Sequence, residues 1–212
     1  MKTPESEKRP VVFVVDDDDS LRDSLERLFR MVGLRAETFA TAAEFLKRKL
    51  PDVPTCLVLD VRLPRISGLD FQAELTKADV KIPIIFMTGY ADIPMAVRAM
   101  KAGAFEFLPK PFLDQDMLDA VQRALERDRT RRQAEQANAQ LRTNFESLSP
   151  RERDVMFFAT AGLMNKQIAA ELGLAEVTVK LHRGSVMRKM NARSVAELAR
   201  MAQILGITRS NS

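Results

Sequence analysis

A short apolar run that ends in a single carboxylate constrains the fold of this chain more than any other feature. The run is Cys56-Leu57-Val58-Leu59, it leads directly into Asp60, and Pro54 and Pro64 bound it. An apolar segment this brief is typical of a strand buried on both faces, as in a parallel sheet. The sequence therefore predicts that Asp60 lies at the carboxyl end of such a strand, where open α/β sheets usually hold a ligand or reactive group.

Residues 1–124 alternate short apolar runs with helically spaced apolar residues. Asp92 is the predicted N-cap of the fourth helix in this pattern, with Pro94 in its first turn. Strands that alternate with helices through short links imply a doubly wound α/β fold with a five-stranded parallel sheet. The five predicted strands are residues 11–15, 35–39, 56–60, 82–87 and 104–108.

Polar side chains follow four of the five predicted strands at the point where each strand ends. They are Asp16, Asp17, Asp60, Thr88 and Lys110. Because the carboxyl ends of parallel strands meet at one edge of a sheet, we expect these side chains to lie together. Clustered carboxylates repel one another unless a cation joins them, and oxygen ligands with remaining water suit Mg²⁺. The sequence therefore predicts a magnesium-dependent site at which the Asp60 carboxylate attacks a phosphoryl group, aided by the lysine charge and the threonine hydroxyl.

Each of these residue types also has an ordinary structural role. The aspartate run 16–19 is equally typical of a solvated turn or a helix cap, and a threonine after a strand is often a turn residue. A lysine between two prolines can be a plain surface residue. The combination of all these types at four strand ends, in this order, is what favours a reactive site.

A set of short motifs recurs around these strand ends: Val14-Val15-Asp16-Asp17, Asp60, Pro64, Gly68, Thr88-Gly89, Ala102-Gly103-Ala104 and Lys110-Pro111-Phe112. With these motifs, residues 10–124 resemble a response-regulator receiver domain, which has a flavodoxin-like fold. The resemblance implies that Asp60 is the phosphoacceptor of a sensor histidine kinase. It also implies that Asp17 and Asp60 bind the metal directly, that Asp16 acts through water, and that the backbone carbonyl of Arg62 is a further ligand.

The same resemblance implies a switch pair and an unusual peptide bond. Thr88 and Phe107 match the two residues that move when the aspartate is phosphorylated. Phenylalanine at 107 is a variant of the more frequent tyrosine. A cis peptide bond is expected between Lys110 and Pro111.

Residues 125–146 form the predicted linker between two domains. The stretch 114–146 contains neither glycine nor proline, and apolar residues at helical spacing flank the charged segment 126–133. This pattern predicts one long helix that is exposed in its middle. A broken or frayed linker is one alternative. A short coiled-coil dimer is another, although the heptads are poor.

Residues 147–212 carry four helical patterns and no predicted strand, so this domain is expected to be all-α. Ser149 with Glu152 and Ser194 with Glu197 form capping boxes, and Asn165 is the predicted N-cap of the second helix. A glycine turn at Gly173 separates that helix from the third, predicted over 176–190. Two short helices separated by such a turn are typical of a helix-turn-helix.

Charge and composition indicate where a nucleic acid would bind. Residues 1–124 have a net charge of −2, whereas residues 147–212 have a net charge of +5. A basic helix-turn-helix favours contact with DNA, although a solvated basic face has the same composition. The chain has no apolar run long enough to span a membrane, its N-terminus carries no apolar secretory segment, and its single cysteine fits a reducing compartment. We therefore expect a cytoplasmic protein that does not bind membranes.

Three segments of the C-terminal third carry a family pattern, residues 148–152, 165–169 and 178–182. With them, this third resembles LuxR-type effector domains, and nearly the whole chain resembles regulators of the FixJ/StyR type. The resemblance to LuxR-type domains implies that Lys180, Leu181 and the position of Gly184 face bases. It also implies that the DNA backbone is contacted by Lys166, Thr178, His182 and Arg183.

Two residues depart from this family pattern. Ala175 stands where a capping serine or threonine is usual, a change that costs a helix about 1 kcal/mol. Gly184 has no side chain with which to contact a base.

These resemblances predict a two-component response regulator and transcription factor, not an enzyme. The predicted partners are a sensor histidine kinase, double-stranded promoter DNA, RNA polymerase and, after phosphorylation, a second copy of the chain. Activation of transcription is the expected outcome. One alternative is an aspartyl-phosphate phosphatase, which would need a second carboxylate two residues after Asp60, where Arg62 stands. The other is a protein-interaction adaptor whose helical domain does not bind DNA.

Overall fold

The computed structural model of the chain describes residues 9–89 and 93–207, and the predicted cap at Asp92 lies outside them. Within the described residues the strands are β1 Val11–Val15, β2 Arg35–Phe39, β3 Thr55–Asp60, β4 Ile84–Thr88 and β5 Glu106–Pro109. The helices are α1 Asp19–Met31, α2 Ala42–Leu46, α3 Gly68–Lys77, α4 Ile93–Lys101, α5 Asp114–Glu146, α6 Pro150–Thr160, α7 Asn165–Leu172, α8 Glu176–Lys189 and α9 Val195–Ile204.

The five strands form one parallel sheet in the order β2-β1-β3-β4-β5. Apolar residues of α2, α3 and α4 cover one face of the sheet, and those of α1 and α5 cover the other. Every residue of β1, β3 and β4 is buried. The predicted doubly wound α/β fold is therefore confirmed, and the apolar run before Asp60 is the central strand.

Strand β4 begins two residues later than its apolar pattern predicts. Pro83 has no amide hydrogen, so it cannot donate to the ladder at the start of that run. Its carbonyl oxygen instead accepts the amide of Leu57 at 2.9 Å. Strand β5 likewise begins at Glu106 instead of at residue 104.

Helix α5 is continuous over 33 residues, but its exposed segment is not the one that the charge pattern predicts. Asp128 lies inside the predicted exposed segment 126–133 and is fully buried, because hydrogen bonds to other residues of the first unit hold its carboxylate. The exposed run is instead residues 133–140. The chain divides into two compact units between Arg132 and Gln133. The predicted boundary of the first domain is residue 124. Residues 125–132 of α5 therefore belong to the first unit.

The second unit is all-α, as the sequence predicts. One cluster of buried residues joins Leu141 of α5 to α6, α8 and α9, and another joins α6, α7 and α8. Gly173 ends α7 in the left-handed conformation, with φ +64°. Asn165, however, is the first residue of α7 and not its cap. Met164 is the cap, and its amide donates to the side-chain oxygen of Gln167 at 2.8 Å.

Candidate functional site

Three carboxylates gather at the carboxyl edge of the sheet. Asp16 and Asp17 follow β1, Asp60 ends β3, and one carboxylate oxygen from each lies within 4.8 Å of the others. Asp16 is fully buried and Asp60 nearly so, whereas Asp17 is exposed. An all-oxygen donor set that is open on one side fits a hard divalent cation that keeps some of its water. That the Arg62 carbonyl adds a ligand stays a prediction.

Lys110 joins two of these carboxylates. Its Nζ lies 2.7 Å from Asp16 Oδ2 and 2.7 Å from Asp60 Oδ2. Burial would lower the pKa of Lys110, but the hydrogen bonds to both aspartates outweigh it and raise that pKa. Burial raises the pKa of Asp16, although Lys110 opposes the shift. The ammonium is therefore held in its charged form beside the Asp60 carboxylate.

The backbone fixes the position of this lysine. The Lys110 amide donates to the Thr88 carbonyl oxygen at 2.6 Å, which ties the end of β5 to the end of β4. The peptide bond between Lys110 and Pro111 is cis, as the resemblance implies. Asp60 and Lys110 thus project from the ends of β3 and β5, with β4 between them.

Gly68 has a packing role that its place in a family motif does not reveal. A Cβ atom built on Gly68 would lie 2.4 Å from the Asp60 carbonyl oxygen and 3.1 Å from the ring of Phe86. The Gly68 amide also donates to the Val61 carbonyl oxygen at 2.8 Å. The loop after β3 can therefore close against the phosphoacceptor candidate only when residue 68 lacks a side chain. A second bond, from the Arg62 amide to Asp60 Oδ1 at 3.0 Å, orients the carboxylate itself.

The two predicted switch residues lie on adjacent strands. Thr88 is the last residue of β4 and is fully buried. Phe107 on β5 pairs in register with Phe86, is half-buried, and has its ring centroid 6.4 Å from that of Phe86. Thr88 shares the sheet edge with Asp60, whereas Phe107 lies farther back along β5.

In the second unit, α8 separates an apolar face from an exposed one. Val179, Val186 and Met190 are buried in the core. The exposed face carries Lys180, Leu181 and Gly184, the three positions predicted to face bases. An added Cβ at Gly184 would meet nothing within 4 Å, so this position is open.

The predicted backbone-contacting residues differ in their exposure. Lys166 is exposed, whereas Thr178, His182 and Arg183 are half-buried. Arg183 Nη1 donates to Asn165 Oδ1 at 2.8 Å, which ties α8 to the start of α7. Asn165 is the first helical residue of α7, and its side chain serves this contact between two helices instead of a cap.

A buried glutamate holds α8 against α6. Glu152 accepts hydrogen bonds from the Ser149 amide at 2.7 Å, from Ser185 Oγ at 2.5 Å and from Lys189 Nζ at 2.7 Å. Burial would raise the pKa of Glu152, but these donors outweigh it and lower the pKa to about 2. The capping box that the sequence predicts at Ser149 is confirmed, and the bonds to α8 are additional.

The low pKa of Glu152 predicts acid sensitivity of the second unit. A carboxylate whose pKa is about 2 in the folded state and about 4.5 in the unfolded state adds stability above pH 4.5. We expect that stability to fall progressively between pH 4.5 and pH 2. The measurement is the urea midpoint of the α6–α9 amide resonances as a function of pH.

Two variants separate Glu152 from general acid effects. Glu152→Gln should flatten the pH dependence in this window, because the titrating group is removed. Glu171→Gln, which changes an exposed carboxylate on α7, should keep the wild-type profile. An unchanged slope in Glu152→Gln would show that another group controls acid unfolding.

Each of the two units matches the model of a known protein family. Residues 12–122 match the family model described as the response regulator receiver domain. Residues 146–202 match the model described as bacterial regulatory proteins of the luxR family. In the parts of the chain that the structure describes, no helix combines the length and the apolar character needed to cross a membrane.

Relatives match over nearly the whole chain. Nodulation protein W of Bradyrhizobium diazoefficiens is 58% identical over 98% of this chain and 92% of its own length. The transcriptional regulatory protein FixJ of Azorhizobium caulinodans is 42% identical over 92% of this chain and 93% of its own length. Among solved structures, the response regulator StyR has a TM-score of 0.84 and 51% identity, covering 92% of this chain and 98% of that one.

The first family model spans the five strands of the sheet, and the second spans helices α6 to α8. The relatives named as regulators are similar to this chain over both units, not over the sheet alone. The chain therefore belongs to the two-component response regulators that join a receiver domain to a LuxR-type DNA-binding domain, and it is a transcription regulator of that family.

Proposed function

We propose that this regulator is switched by phosphorylation of Asp60, with the phosphoryl group taken from a histidine of a sensor kinase. The observation that carries the proposal is the contact of Lys110 Nζ with both Asp16 and Asp60 at 2.7 Å. A lysine so placed holds positive charge beside the carboxylate that attacks, where an incoming phosphoryl group would bring more negative charge.

The proposed transfer is a direct displacement at phosphorus. A carboxylate oxygen of Asp60 forms the new bond to phosphorus, while the bond from phosphorus to the donor nitrogen breaks. Lys110 stabilises the charge on the phosphoryl oxygens, and the Thr88 hydroxyl donates a hydrogen bond to one of them. Asp16, Asp17 and Asp60 would hold Mg²⁺, with the Arg62 carbonyl as a further ligand, and the bound ion would neutralise charge during the transfer.

The proposed response begins at the same sheet edge. When Thr88 moves toward the phosphorylated aspartate, the half-buried Phe107 ring follows into the space beside β4. This change alters the surface formed by α4 and β5, through which two copies associate. Dimerisation then presents two helix-turn-helix units to adjacent half-sites in promoter DNA. RNA polymerase recruited at such a promoter would give activation.

The DNA contacts divide into two groups. Lys180, Leu181 and the open position at Gly184 would face base edges. Contacts to phosphates would come from Lys166, Thr178, His182 and Arg183. Phosphate contacts position the helix, and base contacts provide the specificity.

The test is DNA binding by the full-length wild-type protein with and without a small phosphodonor. DNA sites are first selected from a random pool with the phosphorylated protein. We expect phosphorylation to produce dimers and to strengthen binding by about 5-fold to 150-fold, the usual range for coupled sites. Affinity should also fall steeply with salt, because each phosphate contact releases counterions. Equal binding of both forms would contradict the switch, and no binding by either form would favour an adaptor.

A further inference from the structure

The exposed face of α8 carries two large aliphatic side chains. Val177 is 67% exposed and Leu181 is 71% exposed, whereas Val179 and Val186 of the same helix are almost fully buried. The two exposed residues are four positions apart, so they lie one above the other on the helix surface. Neither residue belongs to the cores of the second unit.

The residues around this pair limit how the face can recognise DNA. Lys180 follows Val177 by three residues and Gly184 follows Leu181 by three residues, so both lie on the same face. Gly184 offers no side chain and leaves open space. Arg183 is tied to Asn165 at 2.8 Å, at the edge of the face. In the strip formed by Val177, Lys180, Leu181 and Gly184, Lys180 is therefore the polar side chain. The exposed Glu176 and Arg188 lie beyond its two ends along the helix.

The charged residues around the strip favour DNA as its binding partner. Lys166, Lys180 and Arg188 are exposed, and residues 147–212 have a net charge of +5. An apolar strip with basic neighbours is complementary to a DNA groove, where phosphates flank the base edges. In the major groove, the apolar group that a base presents is the 5-methyl group of thymine.

We propose that Val177 and Leu181 read the 5-methyl groups of two thymines in the major groove. This inference rests on the proposed function, because it requires that α8 enters that groove. Four residues of helix rise by about 6 Å, which is close to two base-pair steps of about 3.4 Å each. The two thymines should therefore lie within about two steps of each other, near the base that Lys180 contacts. The gap at Gly184 lets the helix approach closely at the next position.

The experiment removes single methyl groups from the DNA. Sites are selected from a random pool with the phosphorylated full-length protein, and each thymine of the best half-site is then replaced by deoxyuridine. Uracil differs from thymine only in lacking that methyl group. We expect replacement at two positions to weaken wild-type binding by about fourfold each, as for one buried methyl group.

Variants of the protein show which side chain contacts each methyl group. Leu181→Ala should lose the difference between thymine and uracil at one position, and Val177→Ala should lose it at the other. Lys180→Ala should weaken binding to both bases equally at these positions. Ile204→Ala, which truncates an exposed aliphatic residue on α9, should behave as wild type.

The outcomes distinguish this inference from the proposed function. If the phosphorylated protein selects DNA but uracil has no effect, or the same effect in every variant, the methyl-reading role is wrong and DNA binding stands. Selected half-sites without thymine would contradict it in the same way. If the protein selects no DNA at all, the proposed function and this inference both fail.

Discussion

Replacing Asp60 with asparagine is expected to abolish phosphorylation and all phosphodonor-dependent strengthening of DNA binding. The amide has no anionic oxygen with which to attack phosphorus, and it removes one of the two carboxylates that Lys110 contacts at 2.7 Å. Wild-type protein should gain about 5-fold to 150-fold in affinity on treatment with the phosphodonor, whereas Asp60→Asn should gain nothing. Intact-mass measurement gives the stoichiometry of phosphorylation, and gel shift gives the affinity.

Asp18→Asn is the matched control for this prediction. The same change from aspartate to asparagine can be made at Asp18, two residues after the buried Asp16. Asp18 itself is exposed. Its side chain caps α1 by accepting from the amides of Ser20 and Leu21, a role that asparagine performs equally well. This variant should be phosphorylated and should bind DNA as wild type does. If Asp60→Asn still dimerised and bound DNA in response to the phosphodonor, another residue would be the phosphoacceptor.

The residues of the sheet edge could be predicted from sequence because strand ends in a parallel sheet converge. Once the apolar runs were placed, Asp16, Asp60 and Lys110 had to lie at one edge, and the structure brings them within hydrogen-bonding distance. Helix ends were also predictable where a local signal sets them, as at Ser149. These features depend on residues close together in sequence or on a simple topological rule.

Other features could not be predicted, because contacts between distant residues decide them. Asp128 lies in a run of charged residues that is typical of a solvated helix. It is nevertheless buried, and one of its partners, Thr55, lies 73 positions away in the sequence. Gly68 matches a family motif, yet its close approach to the Asp60 carbonyl follows from the path of the loop. Asn165 has the composition of a cap, but Arg183 of another helix uses its side chain. Local patterns carry no information about such pairings.

The buried position of Asp128 leads to a second large effect. Its Oδ2 accepts the Thr55 amide at 2.9 Å and Arg132 Nε at 2.7 Å, and its Oδ1 accepts Arg131 Nε at 3.1 Å. Arg132 also reaches Asp52 at 3.0 Å. This network joins α5 to the first residue of β3, the strand that ends in Asp60. It therefore holds α5 against the first unit as far as Arg132.

Asp128→Ala is expected to destabilise the first unit by about 3 kcal/mol, since it leaves the buried Thr55 amide without its acceptor and separates two arginines from their carboxylate. Hydrogen exchange of the full-length protein across a urea series measures the opening free energy of peptides from residues 55–60 and 125–132. Both peptides should exchange faster in the variant. Peptides from α6–α9 should not change, because the network lies wholly within the first unit.

Asp119→Ala provides the comparison on the same helix. Asp119 is exposed, and its side chain accepts a surface hydrogen bond from Gln115 at 2.6 Å. Its removal should change the opening free energy by no more than about 0.5 kcal/mol. Equal exchange in the two variants would mean that the Asp128 network adds nothing to stability, and that the apolar contacts of α5 with the sheet, such as those of Val121, Ala124 and Leu125, hold the helix in place. A loss confined to residues 125–132 would instead show that the network anchors the helix without stabilising β3.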